Sequence, residues 1–374
     1  MCVQCESEQA KRGQEPSTAT PTPGRAAAAA RAAPRPRPTP LGRPTDRLHY
    51  LASSKMLMSL SLASAVLQNA AASAKFVPPL RGLRVTQPDA LWCLEQYQQV
   101  SVKVGGGVGP MDTTYCRAGA GRGAVKLLFL HGADSNALEW RSVMRSLVGA
   151  GFDCTSLDWW SGGFTERGPI ARKLANEPTP PQCWVAIRDH IHGFWKQQLD
   201  ADPVVLIGTS LGGAVALDYA AYHPEAVSAL VLIDAGGESY KAPSPDAVTM
   251  LAPLALQAKR LAAYIQERVP SEDVRLIALH RAQPDWLEAG AEYLRSGSYQ
   301  RVVGPDLIKM VQAKTFVIWG EDDDILPVED AAKFERDLPN CAGVTVIPGS
   351  GHSPQLDNPP FVTEALVKFL GELD

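Results

Sequence analysis

Cysteine is scarce and poorly placed for cross-linking. The chain has 374 residues and seven cysteines: Cys2, Cys5, Cys93, Cys116, Cys154, Cys183 and Cys341. The number is odd, and only Cys2 and Cys5 are closely spaced, with no second pair to complete a zinc site. No apolar run approaches the ~18 residues a membrane span requires, so none is expected. The body also lacks a basic excess. Residues 75–374 hold 27 Lys/Arg against 36 Asp/Glu, whereas residues 1–74 hold 9 against 4. Phosphate binding needs clustered cations, so an acidic body argues against nucleic acid as a partner. What the chain does have is 45% hydrophobic residues. That is enough for one large domain or two small ones with a substantial core.

Residues 1–74 read as a targeting presequence outside the fold. Pro16 to Thr45 contains eight Pro, eight Ala, five Arg and no acidic residue. Such a segment cannot bury enough apolar surface to offset its ordering entropy. Arg-rich, acid-poor composition fits an organelle transit peptide, although a plain flexible tail has similar composition. Lys55 precedes the apolar run Met56 to Leu67, which ends near Ala72-Ser73-Ala74, a small-x-small cleavage pattern. Together these segments resemble the bipartite presequences of thylakoid-lumen proteins. The expected location is the chloroplast, with the lumen as a sub-compartment and Lys75 as the mature start. A single stromal or mitochondrial presequence is the other reading. No Arg-Arg pair precedes the apolar run, so a twin-arginine route is not indicated.

The body alternates two hydrophobic periods. Gln99–Val104 and Thr113–Arg117, separated by Gly105-Gly106-Gly107, predict an antiparallel opening pair. Val125–Leu130, Pro203–Gly208, Val227–Ile233, Thr315–Trp319 and Gly343–Ile347 are short, largely apolar runs, as buried parallel strands are, and Phe152–Leu157 is read as a further strand. Helical stripes lie between them. Trp140, Val143, Met144 and Leu147 form one, and Trp184, Ile187, Ile191, Phe194 and Trp195 another, opened by Pro180-Pro181. Leu211–Tyr222, Glu329–Asp337 and Pro360–Leu370, capped by Asn358, complete the helices. Repeated β-α units predict an α/β fold with a mostly parallel, doubly wound sheet. Residues 237–312 break the rhythm, being rich in helical pattern and Pro, and predict a helical cap between core segments 75–236 and 313–374.

The strongest chemical signal is Gly208-Thr209-Ser210-Leu211-Gly212, a G-x-S-x-G between a strand and a helix. A sharp strand-turn-helix holds a serine Oγ above the sheet's carboxyl edge, and glycines let backbone pass close by. A serine is a weak nucleophile without a base, and an imidazole base needs an orienting carboxylate. Glu321-Asp322-Asp323-Asp324 follows Thr315–Trp319, and Gly351-His352 follows the last strand. Asp234, at the end of Val227–Ile233, is a competing acid. His49, His131, His190, His192, His223 and His280 read as structural or presequence histidines. His190 and His192 diverge on a helix, which argues against a metal pair.

With these pieces the sequence resembles the α/β-hydrolase superfamily from about Val125 to Leu370, including His131-Gly132-Ala133, Asp158 to Thr165, Pro327 and Gly351-His352. One departure is Ser161, where a glycine is usual. The resemblance implies Ser210 as nucleophile, His352 as base and, from the spacing between Gly320 and Pro327, Asp323 rather than Asp322 or Asp324 as acid. It places the oxyanion donors at the amides of Ala133 and Leu211. The expected function is hydrolysis of a small-molecule carboxylic ester or related acyl bond through an acyl-enzyme, with no cofactor or metal. The alternatives are a carbon–carbon bond hydrolase that keeps the serine, and a non-catalytic ligand sensor on the same fold. Trp159, Trp160, Phe164, Trp286 and Tyr293 are candidates for an apolar acyl site, with core packing the expected role for at least half of them.

Overall fold

The computed structural model describes residues 73–373 except 81, 120, 122–123, 161, 177–181, 238–270, 288 and 291–302. The presequence before residue 73, Ser161, Tyr293, Pro180-Pro181 and most of the expected cap therefore lie outside the described residues.

The described chain runs β1 (Ala74–Lys75), α1 (Pro88–Glu95), β2 (Tyr97–Val104), β3 (Gly109–Ala118), β4 (Lys126–Leu130), α2 (Arg141–Gly149) and β5 (Asp153–Leu157). It continues with α3 (Gly168–Asn176), α4 (Gln182–Gln198), β6 (Val204–Thr209), α5 (Leu211–Tyr222), β7 (Val227–Ile233) and α6 (Glu272–Ala278). Last come α7 (Pro305–Ile308), β8 (Lys314–Gly320), α8 (Glu329–Asp337), β9 (Cys341–Ile347), α9 (Pro354–Asp357) and α10 (Pro359–Leu370). The sheet order is β1-β2-β3-β5-β4-β6-β7-β8-β9. β1, β2, β3 and β5 pair antiparallel, and β5 through β9 pair parallel. This is the mostly parallel, helix-covered sheet of the α/β-hydrolase fold.

Both faces of the central strands are buried, which is why those strands read as continuous apolar runs. Leu128 and Leu130 of β4, with Leu206 of β6 and Leu230 of β7, pack into one core beside α4 and α5. Phe129, Ile207 and Val231 point the other way, into a core shared with α2 and α10. Each such side chain contributes about 1.5–3 kcal/mol relative to exposure.

Three local differences from the sequence reading have physical reasons. α1 opens with Pro at its first turn, a start signal that the short, weakly periodic helix did not reinforce. β3 extends five residues beyond the expected Thr113–Arg117, because β2 and then β5 supply hydrogen-bond partners along its length. Asn358 occupies the N-cap position of α10, but its side chain makes no capping hydrogen bond.

The outer edge of β2 is covered in pieces. β1 pairs with Gln98 and Gln99, and the Phe76 N–H donates to the Tyr97 carbonyl at 3.0 Å. Further along, Gln197 of α4 engages Lys103 with its side-chain amide. The Lys103 N–H donates to Gln197 Oε1 at 3.2 Å and Gln197 Nε2 donates to the Lys103 carbonyl at 3.4 Å.

Candidate active site

Ser210 sits between β6 and α5 with φ 51° and ψ −120°. A non-glycine residue in this region is strained by about 1–3 kcal/mol and persists only when its surroundings fix it. Here the backbone does so. The Ser210 N–H donates to the Ile233 carbonyl at 3.0 Å, and its own carbonyl accepts from Gly213, Ala214 and Gly236 at 3.1, 3.2 and 2.9 Å. The motif glycines are required by close approach. A Cβ on Gly208 would lie 2.4 Å from the Gly212 carbonyl oxygen, and one on Gly212 would lie 2.4 Å from those of Leu130 and His131.

His352 arrives from the loop after β9. Its Nε2 lies 2.9 Å from Ser210 Oγ and its Nδ1 lies 2.8 Å from Asp323 Oδ2. The Asp323 side chain is fully buried and that of His352 is 16% exposed. Asp323 Oδ1 accepts the Ile325 and Leu326 N–H groups at 2.8 and 2.9 Å. This carboxylate is therefore aimed by its own loop. Gly320 makes the approach of the β8 and β9 loops possible, since a Cβ there would lie 2.1 Å from the Gly351 carbonyl oxygen. Asp322 and Asp324 are exposed.

Asp234 does not reach His352. It is fully buried, and its Oδ1 accepts the Gly320 N–H at 2.8 Å. Burial, together with the nearby charges of Asp323 and Asp357, pushes its carboxyl up to about 8 against the pull of the Gly320 N–H.

The two expected oxyanion amides flank the serine. Leu211 is the first residue of α5, so its N–H has no intrahelical acceptor. Ala133 follows Gly132, whose Cα approaches Ser210 closely enough that an added Cβ would touch Ser210 Cβ at 3.4 Å. The Gly132 N–H is already engaged by Glu139 Oε2 at 3.0 Å.

Glu139 and Asp134 escaped the sequence reading. Glu139 is buried; burial raises its pKa, opposed by the hydrogen bonds it accepts from the Gly132 N–H and Gln355. Gln355 Nε2 donates to it at 2.7 Å, tying the Gly132 loop to α9. Asp134, at φ 55°, faces the described part of the 237–312 segment. Its Oδ1 lies 2.9 Å from His280 Nε2 and accepts Trp286 Nε1–H at 2.6 Å, and its Oδ2 pairs with Arg281 at 3.0 Å. Burial lowers the His280 pKa, and Asp134 opposes that shift. The partners of both acids lie far along the chain, so no local pattern could reveal them.

The other candidates have structural roles. Trp159 and Trp160 donate their indole N–H groups to the His131 and Arg167 carbonyls, each at 3.0 Å. Phe164 packs against Phe76 and Tyr97. His131 stacks on Trp159, and His190 meets Thr113 Oγ1 at 2.9 Å. Burial lowers both imidazoles to about 3, keeping them neutral. His192 turns instead towards Tyr219 and His223, the divergence expected for neighbours two apart. Donor atoms of His192, His223 and Glu225 gather within 4.8 Å. The two rings stack at 4.1 Å rather than converge on a common point. They lie at the far end of α5, about 18 Å from Ser210 at 1.5 Å per helical residue.

The fold is that of an α/β-hydrolase, with Ser210 at the turn between β6 and α5, and sequence comparison agrees on the family. Residues 127–365 match the Alpha/beta hydrolase family, and the chain belongs to that family. It is 31% identical over 255 residues to the alpha/beta hydrolase domain-containing protein VTE7 of Arabidopsis thaliana, covering 65% of this chain and 73% of that protein. It is 26% identical to human monoacylglycerol lipase ABHD6, covering 70% and 80% of the two chains. A bacterial relative from Metapseudomonas resinovorans, 2-hydroxy-6-oxo-6-(2'-aminophenyl)hexa-2,4-dienoic acid hydrolase, is also 26% identical, covering 70% and 88%. Among solved structures, a thermophilic esterase from Thermogutta terrifontis shares the fold with TM-score 0.59 at 22% identity, over 74% of this chain and 99% of that one. The chain is thus a hydrolase by family.

Proposed function

We propose that the protein is a serine hydrolase that cleaves a carboxylic ester or related acyl bond through an acyl-enzyme. The observation that carries this reading is the hydrogen-bonded chain Ser210 Oγ, His352, Asp323, with contacts of 2.9 and 2.8 Å. His352 Nε2 takes the Ser210 proton as Oγ attacks the acyl carbon. Asp323 fixes the imidazole tautomer and stabilises the imidazolium that forms. The Ala133 and Leu211 amides receive the tetrahedral oxyanion, and the leaving group departs with the proton held at Nε2. Water, deprotonated by the same nitrogen, then releases the acid. A labelled fluorophosphonate tests the reading: it should modify the full chain at Ser210 and spare Ser210→Ala. No labelling of the folded protein, or equal labelling of both forms, would sink it.

Carbon–carbon bond hydrolysis is the second reading, supported by the dienoic acid hydrolase among the relatives. Ester turnover with an authentic ring-cleavage product left intact favours the first.

We further place the protein in the plastid. The acid-poor, Arg-rich segment Pro16–Thr45 supports this, as does kinship with an Arabidopsis protein. N-terminal sequencing of protein from its native source should find a start near Lys75. A start well before Met56 would remove the second, lumen-directing signal.

A further inference from the structure

Asp234 ends β7 beside the loop that carries Asp323. We propose that Asp234 is a positioning residue that holds a proton and donates it in a hydrogen bond to the Asp323 carboxylate, keeping Asp323 aimed at His352. The proposal rests on the reading of Ser210, His352 and Asp323 given above.

The backbone sets the juxtaposition. β7 and β8 are parallel, with Ile233 opposite Ile318, so the residues that follow leave the sheet side by side. The Asp234 N–H donates to the Ile318 carbonyl at 3.0 Å, and Oδ1 accepts the Gly320 N–H at 2.8 Å. Its φ of 42° is unusual for a non-glycine residue, and these bonds hold it there. Oδ2 is buried and meets no donor among the described residues. The turn beside it carries Asp323, whose N–H donates to the Gly320 carbonyl at 3.4 Å, so Gly320 joins the two aspartates and the charge of Asp323 bears on the Asp234 carboxyl.

Two ionised carboxylates offer each other only lone pairs, and in a buried site they repel. One proton converts the repulsion into a hydrogen bond and satisfies the orphaned oxygen. The partners decide which group carries it. Asp323 already accepts three N–H groups, from His352, Ile325 and Leu326, so its oxygens are committed as acceptors. Asp234 accepts one from Gly320. The carboxylates facing Asp234 are Asp323 from the loop after β8 and Asp357 from α9, and both disfavour its ionisation. When Asp234 ionises, its proton goes to solvent. Asp323 then loses a donor and gains a like-charged neighbour, and its hold on His352 loosens.

The test uses the full chain with p-nitrophenyl butyrate and a fluorophosphonate as probes, between pH 6 and 9.5. In wild type, kcat and the labelling rate should fall above about pH 8. Asp234→Asn keeps an acceptor for Gly320 and a donor for Asp323 but cannot ionise. Its kcat at pH 7 should lie within about 3-fold of wild type, and the alkaline fall should vanish. Asp234→Ala should lose roughly 10-fold in kcat at every pH, with KM nearly unchanged. Melting supplies an independent readout. Wild-type Asp234 is protonated when folded and ionised when unfolded between about pH 4 and 8, so its contribution to stability falls as pH rises through that window. The melting temperature of Asp234→Asn relative to wild type should therefore climb between pH 5 and 8. An Asn variant with the wild-type alkaline fall overturns the positioning role, whatever its melting shows. An offset in melting that ignores pH overturns the protonated state. If Asp234→Ala fails to fold, the Asn comparison alone decides. Failure of the hydrolase reading is separate: the wild type would then take no label at any pH, while the melting offset would still report on Asp234.

Discussion

At the scale of residues, the local motifs carried much of the site. Ser210 and His352 each sit in a short glycine-flanked pattern with its own structural reason, and the structure puts their side chains 2.9 Å apart. Asp323 was harder, because four consecutive acidic residues and Asp234 competed for one role. Only the resemblance to the α/β-hydrolase superfamily, through its spacing relative to Gly320 and Pro327, singled it out, and the carboxylate meets His352 Nδ1. Glu139 was not legible, since the side chain that engages it, Gln355, is 216 residues away. The assignment predicts non-additive kinetics. Ser210→Ala and His352→Ala should each lower ester turnover by about 10⁶-fold, and the double variant should be little worse. Asp323→Asn should cost about 10⁴-fold, because the other groups remain. The exposed Asp322 and Asp324 should tolerate Asn. Near-normal steady-state rates in Asp323→Asn would remove it from the mechanism.

At the scale of elements, the central strands were readable because both their faces are buried. β1 was not, because two residues carry no periodicity. The contacts of α6 and the turn after it were also invisible, since they depend on a carboxylate in a distant loop. Asp134 neighbours Ala133 and holds His280, Arg281 and Trp286. Asn136 Nδ2 adds bonds to the Leu276 and Ile277 carbonyls at 3.0 and 2.8 Å. The position of this helical segment is thereby linked to the loop that presents the Ala133 amide. Asp134→Asn should lower kcat by roughly 10-fold while leaving KM nearly unchanged. Amide hydrogen exchange in residues 271–289 should quicken in the same variant. Wild-type exchange there would show that Asp134 does not anchor the segment.

At the scale of the whole molecule, the strands on either side of the 237–312 segment build one sheet, and that segment leaves after β7 and returns before β8. Its helix α6 and the turn after it lie against the loop after β4, as a lid over the serine would, while α7 packs against α5 and α8. Replacing residues 240–308 with a short linker should alter preference across esters of graded chain length more than it alters fluorophosphonate labelling. Unchanged preference in a folded variant would count against a lid. The Gln197 amide on Lys103 bears on a different property. Open strand edges invite a second chain to add itself to the sheet. A side-chain amide that occupies both backbone groups of Lys103 imitates one rung of a neighbouring strand and leaves nothing there for another molecule to pair with. Gln197→Ala would free that rung without touching the serine. Its esterase rate should match wild type at low concentration, while light scattering after size-exclusion chromatography should reveal association that grows with concentration. A variant that stays as dispersed as wild type would mean that β1 and the remaining side chains suffice to keep this edge from acting as a template.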